Sequence, residues 1–512
     1  MKRRSFLNHL AAVGGTGAVY AAMRRMGLIA SAAAATPQAN PQVGAGKTAL
    51  VLGAGIAGLI ATYELERRGF AVTLLEADNR LGGKTWTLRG GDTIEMLGET
   101  AQRVGFSPGL YMDAGPSRIP GDHQRLLGYC RALDVPLEVE VNMNRAAYLW
   151  SPRAHGGKPL RLRQAANDAR GYLSELLTKA TDRGALDQEL TAEDKERLLP
   201  FLRIYGDLDP AGEFRGTDRA GVMPRETSAE LFRQVPPQRL QDLLKDPMLR
   251  AIVYDDQIDQ QATMLQPVGG MDRIVAAFEK AIRAPIHRNM EVKRIAAKGA
   301  RVDVIGREIA KGGLQTFSAD VAIVTIPPHL LAQIDSTLPK DVKAALASFA
   351  PDYANKIGFE APRFWEADGI YGGLSFLDDE TQMAMYPSGG LNQPRGVLIG
   401  AYNRGVVGEA FAAKTIADQI AATRRALAHI HPGHDADLVN AAVVNWNKVP
   451  FNLGPWAYLG GMREGHIEKP ALRMLNAMAG PIQLAGAYLT QLPGWQEGAV
   501  MSAQDVVARL SR

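Results

Sequence analysis

The chain has 512 residues, of which 46% are hydrophobic and 22% charged, a composition typical of a soluble globular protein with roughly three domains of about 150 residues. The single cysteine, Cys130, excludes an internal disulfide and a zinc site built from clustered cysteines. Residues 1–36 carry five basic and no acidic residues, so the net charge of +4 for the whole chain corresponds to a net charge of −1 for residues 37–512. This remainder has no basic stripe, and we therefore expect no nucleic-acid partner.

The N-terminus has the pattern of a twin-arginine signal peptide over residues 1–36. Arg3 and Arg4 open the pattern, a weakly apolar stretch follows at 10–23, and the small residues at 30–35 suit cleavage. We therefore expect the twin-arginine translocase as a partner during export and a periplasmic or secreted protein, with a disordered cytosolic tail as the alternative. The apolar stretch is broken by Arg24 and Arg25 and is too short to span a bilayer, and no other window is long and apolar enough to predict a stable membrane span.

Residues 48–76 have the pattern of a βαβ unit, which follows a Pro- and Gly-rich linker at 37–47. The largely apolar run 48–52 predicts a buried strand, 59–68 has helical periodicity, and 71–76 predicts a second strand. Two strands joined by a helix in this way favour a parallel sheet within an α/β fold.

A G-x-G-x-x-G run between the first strand and the helix predicts that this unit binds a dinucleotide. Gly53 permits the tight turn, Gly55 lets the backbone approach the pyrophosphate, and Gly58 lets helix and strand pack closely. The helix N-terminus favours the phosphate charge, and Glu76 suits a ribose hydroxyl as hydrogen-bond acceptor. A glycine-rich turn in an unrelated α/β sheet is the alternative. We assign the following residues to the cofactor: Gly53, Gly55, Ile56, Ala57, Gly58, Glu76 and Ala77.

The fingerprint alone does not distinguish FAD from NAD, but the residues after Glu76 do. The next residues include Arg80, Gly83 and Lys84, which are close enough in sequence to reach the same diphosphate from the other side. Arg80 would do so through charge-assisted hydrogen bonds. This arrangement resembles the flavin amine-oxidase superfamily, which implies FAD as the cofactor. In that family an arginine usually follows the second glycine, where this chain has Lys84. A solvated turn is the alternative for Arg80 and Lys84.

The stretch at 112–120, Met-Asp-Ala-Gly-Pro-Ser-Arg-Ile-Pro, is similar to the branch with the L-amino-acid oxidases and tryptophan 2-monooxygenase. The resemblance implies that Arg118 pairs with the substrate carboxylate. A guanidinium presents a fork that matches a carboxylate and thereby fixes the direction of the Cα–H bond. The alternative for Arg118 is an internal ion pair with Asp113 or Asp122.

Three later positions also resemble the family. Lys356 matches a lysine that holds a water near flavin N5, Tyr386 a tyrosine that helps to bind the substrate carboxylate, and Trp495 an aromatic beside the substrate near the flavin face. The resemblance therefore makes Lys356 and Trp495 catalytic candidates, with Tyr386 and Trp495 beside Arg118 in substrate binding. The alternatives are a surface lysine, an ordinary sheet tyrosine and a core tryptophan.

The resemblance adds cofactor contacts beyond the fingerprint, and one of them departs from the family pattern. The family usually has Ala-Gly-Glu before the C-terminal aromatic loop, whereas this chain has Ala487 in place of the glutamate. Its side chain cannot accept a hydrogen bond, so that contact is absent or replaced. The further cofactor residues are Pro116, Ser117, Arg118, Val292, Gly486 and Ala487.

The resemblance implies a fold with a Rossmann-like FAD-binding domain, an interleaved substrate-binding mixed sheet and a helical insert. The FAD-binding domain takes residues 48–154, 266–345 and 481–512, the helical insert 155–265, and the substrate-binding domain 346–480. The sequence leaves the oligomeric state open, with a homodimer among the alternatives.

The reaction that the resemblance implies is oxidation of an L-amino acid by FAD and oxygen to the 2-oxo acid, ammonia and hydrogen peroxide. The nine histidines form no metal-ligand cluster and no Ser-His-Asp signature is present, so the redox chemistry is expected from the cofactor, without a metal. The alternatives are an amino-acid 2-monooxygenase that forms an amide, an oxidase of amines without a carboxylate, and a non-catalytic FAD-binding protein.

Overall fold

The computed structural model describes residues 40, 42–225, 227–460 and 470–511. The predicted signal peptide at 1–36 and part of the linker lie outside these residues, so export remains a prediction. Within the described ranges, no helix is long and apolar enough to cross a membrane, and no three His, Cys, Asp or Glu side chains are grouped to hold a metal ion.

The described chain contains both strands and helices. The strands are β1 Thr48–Leu52, β2 Ala71–Leu75, β3 Thr87–Arg89, β4 Thr93–Ile94, β5 Gln102–Arg103, β6 Tyr111–Asp113, β7 Ile119–Pro120, β8 Leu137–Glu140, β9 Tyr148–Trp150, β10 Leu160–Arg161, β11 Met264–Pro267, β12 Ile286–His287, β13 Met290–Lys298, β14 Arg301–Glu308, β15 Leu314–Ala319, β16 Val321–Val324, β17 Asp335–Ser336, β18 Phe349–Pro351, β19 Ala354–Pro362, β20 Gly373–Leu377, β21 Met383–Tyr386, β22 Arg395–Arg404, β23 Val439–Asn445, β24 Ala457–Leu459 and β25 Ile482–Leu484. The α-helices are α1 Ile56–Glu66, α2 Gln124–Ala132, α3 Leu162–Asp182, α4 Ala192–Gly206, α5 Leu240–Lys245, α6 Asp272–Ala281, α7 Pro328–Leu331, α8 Lys340–Ala347, α9 Gly405–Ala412, α10 Ile416–Ile430, α11 Pro470–Asn476 and α12 Gln496–Leu510.

A five-stranded parallel sheet forms the Rossmann-like layer, in the order β12-β2-β1-β16-β25. The run 48–52 forms its central strand, as predicted. The helix α1 begins at Ile56, inside the glycine-rich run and earlier than the predicted 59, because the last residues of this run already form its first turn. Apolar residues of α1 and of the closing helix α12 share one buried cluster with the sheet. The C-terminal segment therefore returns to the first βαβ unit and completes its core.

A seven-stranded mixed sheet forms the second layer, in the order β10-β9-β20-β21-β22-β19-β23. Most of its strands come from the predicted substrate-binding segment at 346–480. The strands β9 and β10 also belong to it, although they lie in the ranges predicted for the FAD-binding domain and the helical insert. These two strands have only three and two residues, too few for a pattern that indicates which sheet they join.

The segment 155–265 contains the helices α3, α4 and α5 and ends in short 3₁₀ turns at 249–256 and 258–260. It then enters β11, the middle strand of a small sheet with the order β7-β11-β8. Because β7 begins directly after Arg118, this sheet brings the end of the insert next to the residue predicted to bind the substrate.

Candidate active site

A cavity of about 1050 Å³ lies where the two large sheets and the last turns of the insert meet. Three predicted site residues, Gly58, Arg80 and Tyr386, are outside its lining. The other predicted residues line it: Gly53, Gly55, Ile56, Ala57, Glu76, Ala77, Gly83, Lys84, Pro116, Ser117, Arg118, Val292, Lys356, Gly486, Ala487 and Trp495.

The glycine turn at 53–58 has the geometry that a phosphate site requires. Gly53 has φ +105°, and a Cβ at Gly58 would lie 1.9 Å from the Gly53 carbonyl oxygen, so both positions require glycine. A Cβ at Gly55 would meet no heavy atom within 4 Å, because this residue faces the cavity. No side chain of the described residues caps the start of α1, so within this part of the chain its first N–H groups can bind an anionic ligand.

Glu76 follows β2 and holds the glycine turn in place. Its carboxylate accepts hydrogen bonds from the backbone N–H of Ala54 at 2.6 Å and of Asp78 at 2.8 Å. Burial raises the pKa of Glu76, and these two amides oppose the rise. Each carboxylate oxygen keeps a second lone pair, so the residue fits the predicted role as acceptor of a ribose hydroxyl.

The two predicted cationic contacts differ in position. Arg80 donates to the Gly83 carbonyl at 2.6 Å, pairs with Asp78 at 3.2 Å and stacks 4.5 Å from the Trp86 ring centroid. Only its Nη2 is buried without a hydrogen-bond partner among the described residues, so Arg80 mainly supports the turn that follows Glu76. Lys84 lines the cavity itself, and burial lowers the pKa of its ammonium to about 8.

Ala487 stands where the family usually has a glutamate, and a hydroxyl group lies close to this position. Ala487 and Gly486 line the cavity, and the N–H of Gly486 donates to the Ser502 hydroxyl at 3.0 Å. The next residue, Tyr488, also lines the cavity, and its buried hydroxyl has no partner within the described part of the chain. An uncommitted hydroxyl therefore lies one residue after the position where the family has its glutamate.

Arg118 also lines this cavity. Its Nη2 donates to the Tyr254 hydroxyl and to Gln260 Oε1, both at 3.1 Å. Among the described residues none forms an ion pair with it; Asp113 instead accepts hydrogen bonds within its own part of the fold. Burial acts to lower the pKa of Arg118, but the facing Tyr254 and Glu140 raise it above the ordinary value, so the guanidinium stays charged.

Lys356 projects from β19 and fixes the segment that precedes Arg118. Its Nζ donates to the carbonyl oxygens of Asp113 at 2.9 Å and Gly115 at 2.6 Å, and to the Ser117 hydroxyl at 2.7 Å. Burial lowers the pKa of Lys356 to about 7, and its ammonium form can donate to all three oxygens. It is therefore a buried, fully bonded lysine and not a surface one.

Trp495 lies between the insert and the end of the chain. It immediately precedes α12, and its indole N–H donates to Asp259 Oδ2 at 2.8 Å. Its ring packs edge-on against His123, with centroids 5.1 Å apart. The structure thus places Trp495 in the cavity wall that the insert closes.

Tyr386 does not lie where the resemblance predicts. Its hydroxyl is buried on the far side of the sheet, 2.7 Å from His431 Nε2 and 2.9 Å from the Ser375 hydroxyl. Successive strand residues face opposite sides, so its neighbour Met385 lines the cavity instead. The prediction that Tyr386 binds the substrate carboxylate is therefore corrected.

Two tyrosines that the sequence analysis did not single out line the Arg118 end of the cavity. Tyr254 comes from a 3₁₀ turn of the insert, which has no periodic signal. Tyr402 pairs with Lys356 in the register of β19 and β22, and the Lys356 ammonium lies 5.3 Å from its ring centroid. Tyr402 could have been predicted from Lys356 only with knowledge of how β19 pairs with β22, because this pairing places the two residues opposite each other.

Comparison with known proteins identifies the family. Residues 56–511 match the model of the flavin containing amine oxidoreductases. The chain belongs to this family. A relative from Notechis scutatus scutatus, named L-amino-acid oxidase, is 27% identical, with 91% of this chain and 87% of the relative covered. A relative of the same name from Siganus canaliculatus is 24% identical, with 90% and 85% covered.

Solved structures share the fold of this flavin-containing amine oxidoreductase. Putrescine oxidase bound to putrescine has a TM-score of 0.59 at 17% identity, with 90% of this chain and 98% of that chain covered. Cyclohexylamine oxidase from Brevibacterium oxydans IH-35A has a TM-score of 0.60 at 18% identity, with 91% and 98% covered. The predicted fold class is confirmed, and the family confirms FAD as the cofactor.

The glycine turn provides a test of cofactor binding in this amine oxidoreductase. We expect Gly58→Ala to lose most of its bound FAD, because the new Cβ would lie 1.9 Å from the Gly53 oxygen and displace the phosphate turn. Flavin content per purified chain, read from the absorbance spectrum, measures the loss. Gly313→Ala is the matched control, since its Cβ would meet no atom within 4 Å. A Gly58→Ala protein with a full complement of FAD would contradict this assignment.

Proposed function

We propose that this oxidoreductase oxidises the Cα–N bond of an L-amino acid, with oxygen as electron acceptor, to a 2-oxo acid, ammonia and hydrogen peroxide. The observation that carries the proposal is the Arg118 guanidinium, which lines the cavity and is bonded only to neutral oxygens among the described residues. A guanidinium fork to which no carboxylate of the described chain is hydrogen-bonded suits a substrate that brings its own. The relatives named L-amino-acid oxidase support the same substrate class.

In this proposal the chain's residues mainly orient the substrate and exclude water. Arg118 binds the carboxylate and is held by Tyr254 and Gln260, while Lys356 fixes the backbone that leads to it. When bound, FAD would supply the electron acceptor for the hydride at Cα. The substrate amine must be neutral at that moment, because an ammonium has no lone pair to assist. Fixed orientation of this kind accounts for a large part of catalysis in such sites.

The wall around Trp495 limits the space beside the reacting carbon. Trp495 and Asp259 form a hydrogen-bonded contact between the C-terminal loop and the insert. The proposed role of Trp495 is to pack against the substrate on the cavity side of this contact. Closing the cavity in this way strengthens the charge interaction at Arg118, because water is displaced from it.

The proposal is tested by anaerobic reduction of the holoenzyme with matched pairs of substrates. Each pair is an L-amino acid and the amine with the same side chain but no carboxylate, such as leucine and 3-methylbutylamine. We expect at least one amino acid to bleach the flavin absorbance, with its amine partner much slower. Aerobic turnover then gives the 2-oxo acid and ammonia, whereas a 2-monooxygenase gives the amide and carbon dioxide. Faster reduction by the amines throughout would overturn the proposal.

A further inference from the structure

Glu140 is a buried acid beside Arg118 that the proposed reaction does not use. It ends β8, and Met264 of the middle strand pairs with both Glu140 and Pro120, so these two residues lie in one row across the small sheet. Arg118 directly precedes β7, the strand that contains Pro120. The strand order thus places the carboxylate near the guanidinium without a direct ion pair between them in the described chain.

Two of the polar atoms involved have no hydrogen-bond partner. Glu140 is 8% exposed, and its Oε2 is buried and unbonded among the described residues, as is Nε of Arg118. The neighbouring amide of Asn142 is committed elsewhere, because it donates to the Gln260 carbonyl at 2.7 Å. An acid in this position interacts with Arg118 through charge and not through a hydrogen-bonded bridge.

The charges around Glu140 set its protonation. Burial raises the pKa of Glu140 to about 7, and the cationic Arg118 and Lys356 oppose the rise. Of the other titratable groups at this end, Tyr254 and Tyr402 face Arg118, and Asp113 faces Lys356. A second anion bound at Arg118 compensates part of the positive charge that keeps Glu140 ionised. The ionised form of Glu140 is then disfavoured relative to the neutral acid, because the site contains little water to solvate the charge.

We infer that Glu140 is the counterion of Arg118 in the free enzyme and takes up one proton from solvent when the substrate carboxylate binds. This inference rests on the proposed function of Arg118. The only bond formed is the O–H bond of the neutral acid, so the buried site exchanges one anion for another and its net charge is unchanged. Glu140 is accordingly a positioning residue, which sets the affinity for carboxylates and its dependence on pH.

The test measures proton uptake when the holoenzyme binds benzoate, which has a carboxylate but no amine to titrate. Calorimetry at about pH 7.5 in two buffers of different ionisation enthalpy gives the number of protons bound. We expect uptake of roughly three-quarters of a proton per site in the unmodified enzyme, because a carboxyl with a pKa of about 7 is mostly ionised at this pH and the ionised fraction is protonated on binding. Glu140→Gln abolishes the uptake, and Glu138→Gln, on the same strand but bonded to Gln266, retains it.

A further variant and a second pH distinguish Glu140 from other groups that could take up the proton. Lys356→Met removes a cation that favours ionised Glu140, so the inference expects the uptake to shift to higher pH in that variant. Retention of the uptake in Glu140→Gln together with its loss in Lys356→Met at every pH would assign the proton to Lys356 and overturn the inference. In the unmodified enzyme the uptake disappears at about pH 5.5, where Glu140 is already neutral. Absence of uptake at every pH also overturns it, even if Glu140→Gln does not fold. The proposed function fails separately, if Arg118→Ala binds benzoate as tightly as the unmodified enzyme.

Discussion

Replacing Arg118 by alanine is expected to lower kcat/KM for the preferred L-amino acid by about 10²–10³-fold. The reason is that a buried, charge-assisted pair contributes roughly 3–4 kcal/mol, and each 1.4 kcal/mol corresponds to a factor of ten. Most of the loss is expected in KM, because the guanidinium binds a part of the substrate that does not react. The matched amine without a carboxylate is expected to change by less than about threefold, since it makes no such pair.

The control for this experiment is Arg125→Ala. Arg125 is exposed and donates to Gln504 outside the cavity, so its removal is expected to change neither substrate. Flavin content must be equal in all variants, since Arg118 is also near the predicted cofactor contacts. Parallel losses for the amino acid and the amine would show that Arg118 supports the fold or the cofactor and not the substrate carboxylate.

The cofactor half of the site could be predicted from sequence because its determinants are local. Gly53, Gly55, Gly58 and Glu76 lie within one βαβ unit, where the turn, the helix start and the end of the second strand follow from spacing alone. Arg80 shows the limit of this reasoning. The sequence predicts a cation near the diphosphate, but not that its Nε and Nη1 contact Asp78 and the Gly83 carbonyl.

The substrate half depends on contacts between distant segments, which spacing does not encode. Tyr386 and Met385 are adjacent in β21, and only the pairing of the strands determines which of them faces the cavity. Tyr254 and Gln260 come from irregular turns, whose position depends on the packing of the whole insert. The sequence therefore does not predict the hydrogen bond between Arg118 and Tyr254, which the folded structure shows.

Replacing Lys356 by methionine is expected to slow the reaction of the reduced enzyme with oxygen by about 10²-fold, because a fixed cation stabilises the negative charge that oxygen gains. The oxygen step is measured by stopped flow after chemical reduction, so that the substrate plays no part. Lys343→Met is the control, since Lys343 bonds to Ser336 away from the cavity. An unchanged oxygen rate in Lys356→Met would restrict the lysine to a structural role.

The pH dependence separates a role of the Lys356 charge from a role of its hydrogen bonds. Burial places the pKa of Lys356 below its ordinary value of 10.5, so the ammonium is present at low pH and is lost as the pH rises through that lowered value. The oxygen rate of the unmodified enzyme is therefore expected to fall with rising pH before 10.5 is reached, whereas Lys356→Met has no such decline. Because the same ammonium bonds to Gly115 and Ser117, its loss also frees the segment leading to Arg118. KM for the amino acid should consequently rise over the same pH interval, which links oxygen reactivity and carboxylate binding through one buried proton.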